Sequence, residues 1–306
     1  MKLIDAPTTA RALPFPALIA ALETMFLDGC EVPPREVHAV GGDLTTLVMP
    51  AWQPGRYFGL KVVNVAPGNA AFGLPGLFAT YQLFDARTGV PLAQIDGGEI
   101  TARRTAAASA LAASRLARRD AHRLLVVGAG RVGSLVAHAH AAVRPIDDVQ
   151  VWSRDAASAR ALAARLASEG VAARAVTDLA DAAAHADIVS CATLSADALI
   201  HGAWLAPGTH LDLIGGFTPA MREADDAAFL GADVWIDTAE ALAKAGDLLQ
   251  PIASGALRRE DVRGTLADLC AGRFERRDAA QRTVFKSVGT ALEDLAAAIL
   301  VHESQG

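Results

Sequence analysis

The sequence predicts an α/β protein of two domains, one built on a doubly wound parallel sheet and the other on a mixed, largely antiparallel sheet with helices. Three observations predict it. From residue 123 onward, apolar runs of strand length alternate with stretches rich in helix formers, the pattern of right-handed βαβ units. Before residue 100, four apolar runs follow one another with no helical stretch between them, as antiparallel neighbours do. The length of 306 residues exceeds what one hydrophobic core usually serves.

Taken in order, residues 15–27, "FPALIAALETMFL", place Phe15, Leu18, Leu22, Met25 and Phe26 on one helical stripe. The four strand-like runs are "TTLVMPAW", "YFGLKVVNV", "LFATYQLFD" and "PLAQID", the last two joined by the turn signal "ARTG". From about residue 99, "ITARRTAAASALAASRLARRD" reads as a helix leading into the second domain. Strands are expected there at 123–127, 149–152, 171–176, 187–192, 209–214 and 233–237, with helices at 131–143, 155–168 and 178–185. Helical patches follow at 238–255 and 259–271. The closing "RTVFKSVGTALEDLAAAILVHE" carries Val288, Leu292, Leu295, Ile299 and Leu300 as an apolar helical stripe.

Composition excludes several functions. A net charge of −6 with no basic stripe argues against nucleic acid as a partner. Cys30, Cys191 and Cys270 lie far apart with no CxxC, so neither a disulfide framework nor a zinc site is expected, and a reduced cytoplasm fits. His138 and His140 are two apart on a helix and face different directions, so no metal is expected. Asp5, Arg11 and two prolines break the N-terminal apolar run, and no stretch reaches the roughly eighteen apolar residues of a membrane span. The expectation is a cytoplasmic protein with no membrane partner.

The strongest chemical signal is "RLLVVGAGRVGSLVAHAHA", in which an apolar strand runs into Gly128, Gly130 and Gly133 and a helix follows. The first glycine permits a tight turn, the second lets backbone approach a pyrophosphate, and the third lets helix and strand pack closely. The helix then presents unpaired N–H groups and the positive end of its dipole to the phosphates. The next strand ends "VQVWSRD", with Trp152, Ser153 and Arg154 where NAD-binding folds hold an acid for the ribose 2′-hydroxyl. Ser153 and Arg154, with Arg131 nearby, suit a 2′-phosphate, which favours NADPH. Asp155, one step later, remains within reach of a ribose and keeps NADH open as an alternative.

Arg35, Lys61 and Arg104 each sit near a strand end or helix start. Converging on one pocket, they would hold a small carboxylate-bearing substrate; read singly, each is a surface charge. Further on, "IGGFTPAMR" is an apolar strand ending on two glycines and a phenylalanine, a strand end that opens onto a cofactor.

With these pieces in hand, the chain resembles the ornithine cyclodeaminase/mu-crystallin family over nearly its whole length. The likeness is carried by "LVMPAW", "GLKVVNVAPGN", "LFDARTGVPLAQIDGGEITARRTAAASALAA", "VVGAGRVG", "ADIVSCATLS", "WLAPGTHLDLIGG", "TPAMREAD" and "TVFKSVGTALEDLA", in that order. The resemblance implies a homodimer in which residues 1–119 plus 281–306 form a substrate-binding and dimerisation domain and residues 120–280 a Rossmann domain that binds NAD(P). It implies that Arg35, Lys61 and Arg104 hold the substrate carboxylate and neighbouring groups, Arg104 reaching the cofactor as well. Arg131, Val132, Thr193, Ile214, Gly215 and Gly216 match cofactor contacts, and Ser287 and Val288 match positions beside the nicotinamide and substrate.

The departures point to the reaction. Ornithine cyclodeaminases carry an aspartate after the glycine pair, where it manages the second amine of the substrate; this chain has Phe217. Met221 replaces a lysine, Gly76 replaces a threonine common after the "GLP" turn, and Ser153-Arg154 replace an acid. Ketimine reductases of the mu-crystallin type likewise lack the aspartate and prefer NADPH. The expected activity is therefore NADPH-dependent reduction of a cyclic ketimine acid, Δ1-pyrroline-2-carboxylate or Δ1-piperideine-2-carboxylate, with Phe217 as an apolar wall to the ring and Lys61 as added charge or proton donor. The alternatives are ornithine cyclodeamination to L-proline and ammonia, an amino-acid dehydrogenase of the alanine dehydrogenase kind, and a binding protein that holds NADPH and a small ligand without turnover.

Overall fold

Aspartate and proline set the first helix in the computed structural model, which describes residues 1–305. After strand β1 (Lys2–Ile4), helix α1 (Ala6–Ala12) starts with Pro7 in its first turn and the Asp5 carboxylate accepting from the Thr8 amide at 2.9 Å. Helix α2 (Phe15–Asp28) buries Phe15, Leu18, Leu22, Met25 and Phe26, the stripe read from the sequence. Strands β2 (Glu36–Gly41), β3 (Leu44–Gln53), β4 (Tyr57–Val65), β5 (Leu77–Asp85) and β6 (Pro91–Asp96) form a sheet in the order β1-β6-β5-β4-β3-β2. Every neighbouring pair is antiparallel except β1 with β6, so the sheet is mixed and largely antiparallel. At the β5–β6 turn, Asp85 accepts the amides of Arg87 and Thr88. The two-residue period of β4 puts Gly59, Lys61 and Val63 on the same buried face, which carries a lysine into the interior.

Helix α3 (Gly97–Leu116) leads into a second sheet. Its elements are β7 (Arg123–Val127), α4 (Gly133–Ala141), β8 (Asp148–Trp152), α5 (Ala156–Ser168), β9 (Ala173–Ala175), α6 (Leu179–His185), β10 (Ile188–Cys191), β11 (His210–Leu213), β12 (Asp233–Ile236), α7 (Ala241–Lys244), α8 (Gly246–Ser254), β13 (Val262–Thr265), α9 (Leu266–Cys270) and β14 (Thr283–Lys286). All pairs are parallel, in the order β13-β12-β14-β11-β10-β7-β8-β9. Alternate residues of β7 feed two cores: Leu124 and Val126 join Val136, Val149 and Leu162, while Leu125 and Val127 join Ala183, Leu211 and Phe229. The sheet is thus covered on both faces, as a doubly wound fold requires. The chain order reverses between β7 and β10, which is where such sheets bind ligands outside their carboxyl ends. Helix α10 (Ala291–Ser304) returns to the first sheet and packs on α2, β3 and β4.

Two expected helical stretches contain strands. Residues 283–286 lie fully buried between β11 and β12, because Thr283, Val284 and Phe285 suit a strand buried on both faces. The closing helix begins only after Thr290, whose side chain accepts from the Leu292 amide, so Val288 is not on its stripe. Within 259–271, Val262–Thr265 pairs with β12, and the helix shrinks to five residues started by a Thr265/Asp268 capping box.

The described residues divide into two units, Met1–Arg104 with the segment from Thr290, and Thr105–Gly289. The expected division at 119/120 and 280/281 is displaced for two physical reasons. Beyond residue 104, α3 joins the second core: Ser109 donates to buried Asp212, and Ala113 and Ala117 pack with Leu124. Beyond residue 280, β14 is an interior strand of the parallel sheet. Among the described residues, no single helix is long and apolar enough to cross a membrane, and no group of three His, Cys, Asp or Glu is placed to hold a metal ion.

Candidate functional site

Each unit carries one constellation. In the second, β7 ends at Val127 and the chain turns through Gly128, whose φ of +111° is a conformation that side-chain-bearing residues rarely adopt. A Cβ on Gly133 would lie 2.0 Å from the Gly128 carbonyl oxygen, so only glycine lets α4 start this close to the strand. A Cβ on Gly130 would meet nothing within 4 Å, which leaves that backbone open to a ligand. A cavity of about 290 Å³ opens here, lined by Gly128, Gly130, Ser153, Arg154, Thr193 and Leu194 among others. Its donors and shape fit the adenosine and pyrophosphate of a dinucleotide.

Ser153 and Arg154 line this cavity as expected, with Arg154 exposed. Asp155 is engaged at the start of the next helix. Its carboxylate caps α5, accepting the amides of Ala157 and Ser158 at 3.1 Å each and the Ser158 hydroxyl at 2.5 Å. Those bonds, the Ser158 hydroxyl foremost, hold its carboxyl below the usual range. Arg131 is exposed and Val132 half-buried in the turn before α4.

The strand ends at Thr193 and Gly215-Gly216 are tied together from below by a group the sequence did not single out. Glu223 is fully buried, with Oε1 accepting the Thr193 amide at 2.7 Å and hydroxyl at 2.8 Å. Its Oε2 accepts the Gly215 and Gly216 amides at 2.9 and 3.2 Å. Lys286 lies 3.9 Å from that oxygen and donates to Asp247 at 2.8 Å, both fully buried. Burial raises the Glu223 carboxyl to about 7, with the Lys286 charge opposing the rise and Asp247 adding to it. Ile214 is buried, whereas Phe217 is 40% exposed at the end of the glycine pair. Ser287 and Val288 are buried, and Asp237 fixes their turn by accepting the Val288 and Gly289 amides at 2.7 Å each.

In the first unit, the structure brings Lys61 and Arg104 together through α10. Asp294 Oδ2 lies 2.5 Å from Lys61 Nζ, and Asp294 Oδ1 accepts from Arg104 Nε at 2.9 Å. Arg104 also donates to Glu293 Oε2 at 2.6 Å, and Lys61 donates to Thr101 at 3.3 Å. Burial lowers the Lys61 ammonium to about 8; Asp294 opposes this, while Arg104 and Arg35 add to it. Burial alone would raise the Asp294 carboxyl, yet Lys61 and Arg104 hold it below the usual range. Arg35 is half-buried, and its charge reaches Lys61.

The expected clamp of three cations therefore includes two carboxylates that sequence reasoning missed. With Arg35, whose charge reaches Lys61, the constellation comprises three cations and two carboxylates. The signal for Asp294 and Glu293 was present as an acidic pair inside the apolar "ALEDLAAAIL". It reads equally well as favourable charge in the first turn of a helix.

The family profile described as "Ornithine cyclodeaminase/mu-crystallin family" matches residues 14–305. A Δ1-pyrroline-2-carboxylate reductase of Paracoccus denitrificans is 43% identical over 82% of this chain and 80% of its own. The structure of Thermococcus litoralis Δ1-pyrroline-2-carboxylate reductase, in complex with NADH and L-proline, is 30% identical and superposes with a TM-score of 0.93 over 99% of this chain and 97% of its own. An archaeal alanine dehydrogenase dimer with bound NAD is 27% identical, with a TM-score of 0.92 over 99% of this chain and 95% of its own.

Proposed function

Because the chain belongs to the ornithine cyclodeaminase/mu-crystallin family, we propose that it reduces a cyclic ketimine acid, Δ1-pyrroline-2-carboxylate or Δ1-piperideine-2-carboxylate, to the L-imino acid with NADPH. NAD(P)-dependent oxidoreduction at C–N bonds is the chemistry of the family and of its reductase relatives. The observation that carries the reduction of a cyclic ketimine is Phe217 at the glycine-pair strand end. Cyclodeamination needs a partner and a proton route for a second amine. A phenyl ring offers neither, but gives an apolar wall to a closed ring.

Reduction of the imine requires a hydride at the C=N carbon and a proton on the nitrogen. Bound reduced nicotinamide supplies the hydride. Arg35 and Arg104 clamp the carboxylate and so orient the C=N bond, and Arg104 is itself held in position by Glu293 and Asp294. Lys61 delivers the proton: an ammonium brought down to about 8 is a far better acid at neutral pH than an ordinary lysine.

Preference for NADPH is supported by Ser153 and Arg154 in the cavity and by the engagement of Asp155 as a helix cap. Arg154→Ala is expected to raise KM for NADPH about tenfold, the loss of a charge-assisted bond to phosphate, and to leave KM for NADH unchanged. Equal effects on both cofactors would remove the 2′-phosphate reading. A homodimer is supported by the alanine dehydrogenase relative and by apolar side chains exposed on the first unit, Val37, Val40, Phe72 and Phe78 among them. Light scattering should give twice 31.7 kDa; a mass of one chain overturns it.

The deciding experiment offers the purified protein three mixtures: NADPH with Δ1-pyrroline-2-carboxylate, NAD with L-ornithine, and NADH with pyruvate and ammonia. Fast oxidation of NADPH in the first alone is the expected result. The alanine dehydrogenase relative gives the third mixture its place, and turnover there would assign a dehydrogenase. Proline and ammonia formed from ornithine would assign a cyclodeaminase, and NADPH binding without turnover anywhere a binding protein.

A further inference from the structure

We propose that Glu223 is a positioning residue that locks the strand end at Thr193, in the lining of the adenosine and pyrophosphate cavity, to the neighbouring strand end at Gly215-Gly216, so that affinity for the whole dinucleotide depends on a side chain that touches no part of it. The inference rests on the reading of this cleft as an NAD(P)H site. One carboxylate accepts all four nearby donors, two on each oxygen: the Thr193 amide and hydroxyl on Oε1, the Gly215 and Gly216 amides on Oε2. Thr193 follows β10 and Gly215 follows β11, so the single side chain sets the spacing of adjacent strand ends. The space has no slack, since a Cβ on Gly215 would lie 2.0 Å from the Thr193 carbonyl oxygen and 2.6 Å from Glu223 Oε1.

The carboxylate is itself fixed. Asp247 Oδ1 accepts the backbone amide of Glu223 at 2.7 Å, and Lys286, from the interior strand β14, supplies the positive charge. Glu223, Asp247 and Lys286 are all fully buried, so no water can substitute for a lost contact. An acceptor-only group suits four donors. A glutamine would turn two hydrogens toward the donors of one strand end and release it.

The test compares Glu223→Gln with the wild type for two ligands. NADPH spans the whole cleft, and adenosine 2′,5′-bisphosphate occupies only the adenosine end. The expected result is a rise in Kd of tenfold or more for NADPH and a smaller one, threefold or less, for the fragment, which meets the Thr193 strand end alone, with the far-ultraviolet circular dichroism unchanged. An equal loss for both ligands would make Glu223 a general stabiliser, and no loss for either would leave the strand ends held by other means; both overturn the proposal. Glu223→Asp keeps the charge but is one methylene short of the four donors, while Lys286 keeps Asp247 as its partner at 2.8 Å. If it binds NADPH as the wild type does, charge and not positioning is the role. Should the variants fail to fold, hydrogen exchange in the unliganded wild type decides: the Thr193, Gly215 and Gly216 amides are expected to be protected, and exchange at loop rates overturns the proposal. Failure of wild-type protein to bind NADPH at all would instead sink the reading of the cleft.

Discussion

Lys61→Met is expected to lower kcat for ketimine reduction by about 10²–10⁴-fold, the usual worth of a positioned general acid, while leaving Kd for NADPH unchanged. In the wild type the reduction should proceed at low and neutral pH and fall away as pH rises through about 8, where the ammonium of Lys61 loses its proton. In the variant that descending limb should vanish from what activity remains. The substitution keeps a long apolar stem on a fully buried face, and Asp294 retains Arg104 as its partner, so the fold should survive. A variant that keeps more than a tenth of kcat, or the same limb near pH 8, would remove Lys61 from proton delivery.

Asp294→Asn should have the larger effect on stability and a different effect on pH. The carboxylate lies between Lys61 and Arg104 with no exposure to solvent, and removing one partner of a buried ion pair typically costs about 3–5 kcal/mol. Urea unfolding with unchanged slope and a lower midpoint would show it. Asp294 is also the group that opposes the loss of the Lys61 proton. Without it, burial and the charges of Arg104 and Arg35 act unopposed, so the descending limb should move to lower pH. A limb that stays in place would mean that Asp294 does not govern the lysine.

The sequence made the sheets legible wherever residue pattern and strand environment agree. The apolar runs of β3 to β6 and the glycine turn after β7 were identifiable because each carries its own local signature. The cores of β13 and β14 were hidden for the opposite reason. "TVFK" ends in lysine and runs toward a helical stripe, and nothing local says that this lysine will be neutralised by Asp247 and Glu223 from elsewhere in the chain.

The same limit governs the site. Ser153, Arg154 and the glycines lie on one βαβ unit, where spacing in sequence is spacing in space. Lys61 and Asp294 are 233 positions apart and meet only through tertiary structure. An acid inside an apolar helix announces a buried partner without saying which one. Asp155 shows the converse: a residue in reach of a ribose by spacing was claimed by the local demand of a helix start.

The place of β14 also bears on how the chain acquires its shape. This strand follows β11, β12 and β13 in the chain, yet it belongs in the interior of the parallel sheet, with β11 on one side and β12 on the other. While the chain is being synthesised, those two strands present bare facing edges that nothing yet made can pair, and the gap closes only when residues 283–286 emerge. The sheet is thus completed by insertion and not by growth at an edge, a high-contact-order step in which residues 283–286 commit the second unit to its fold.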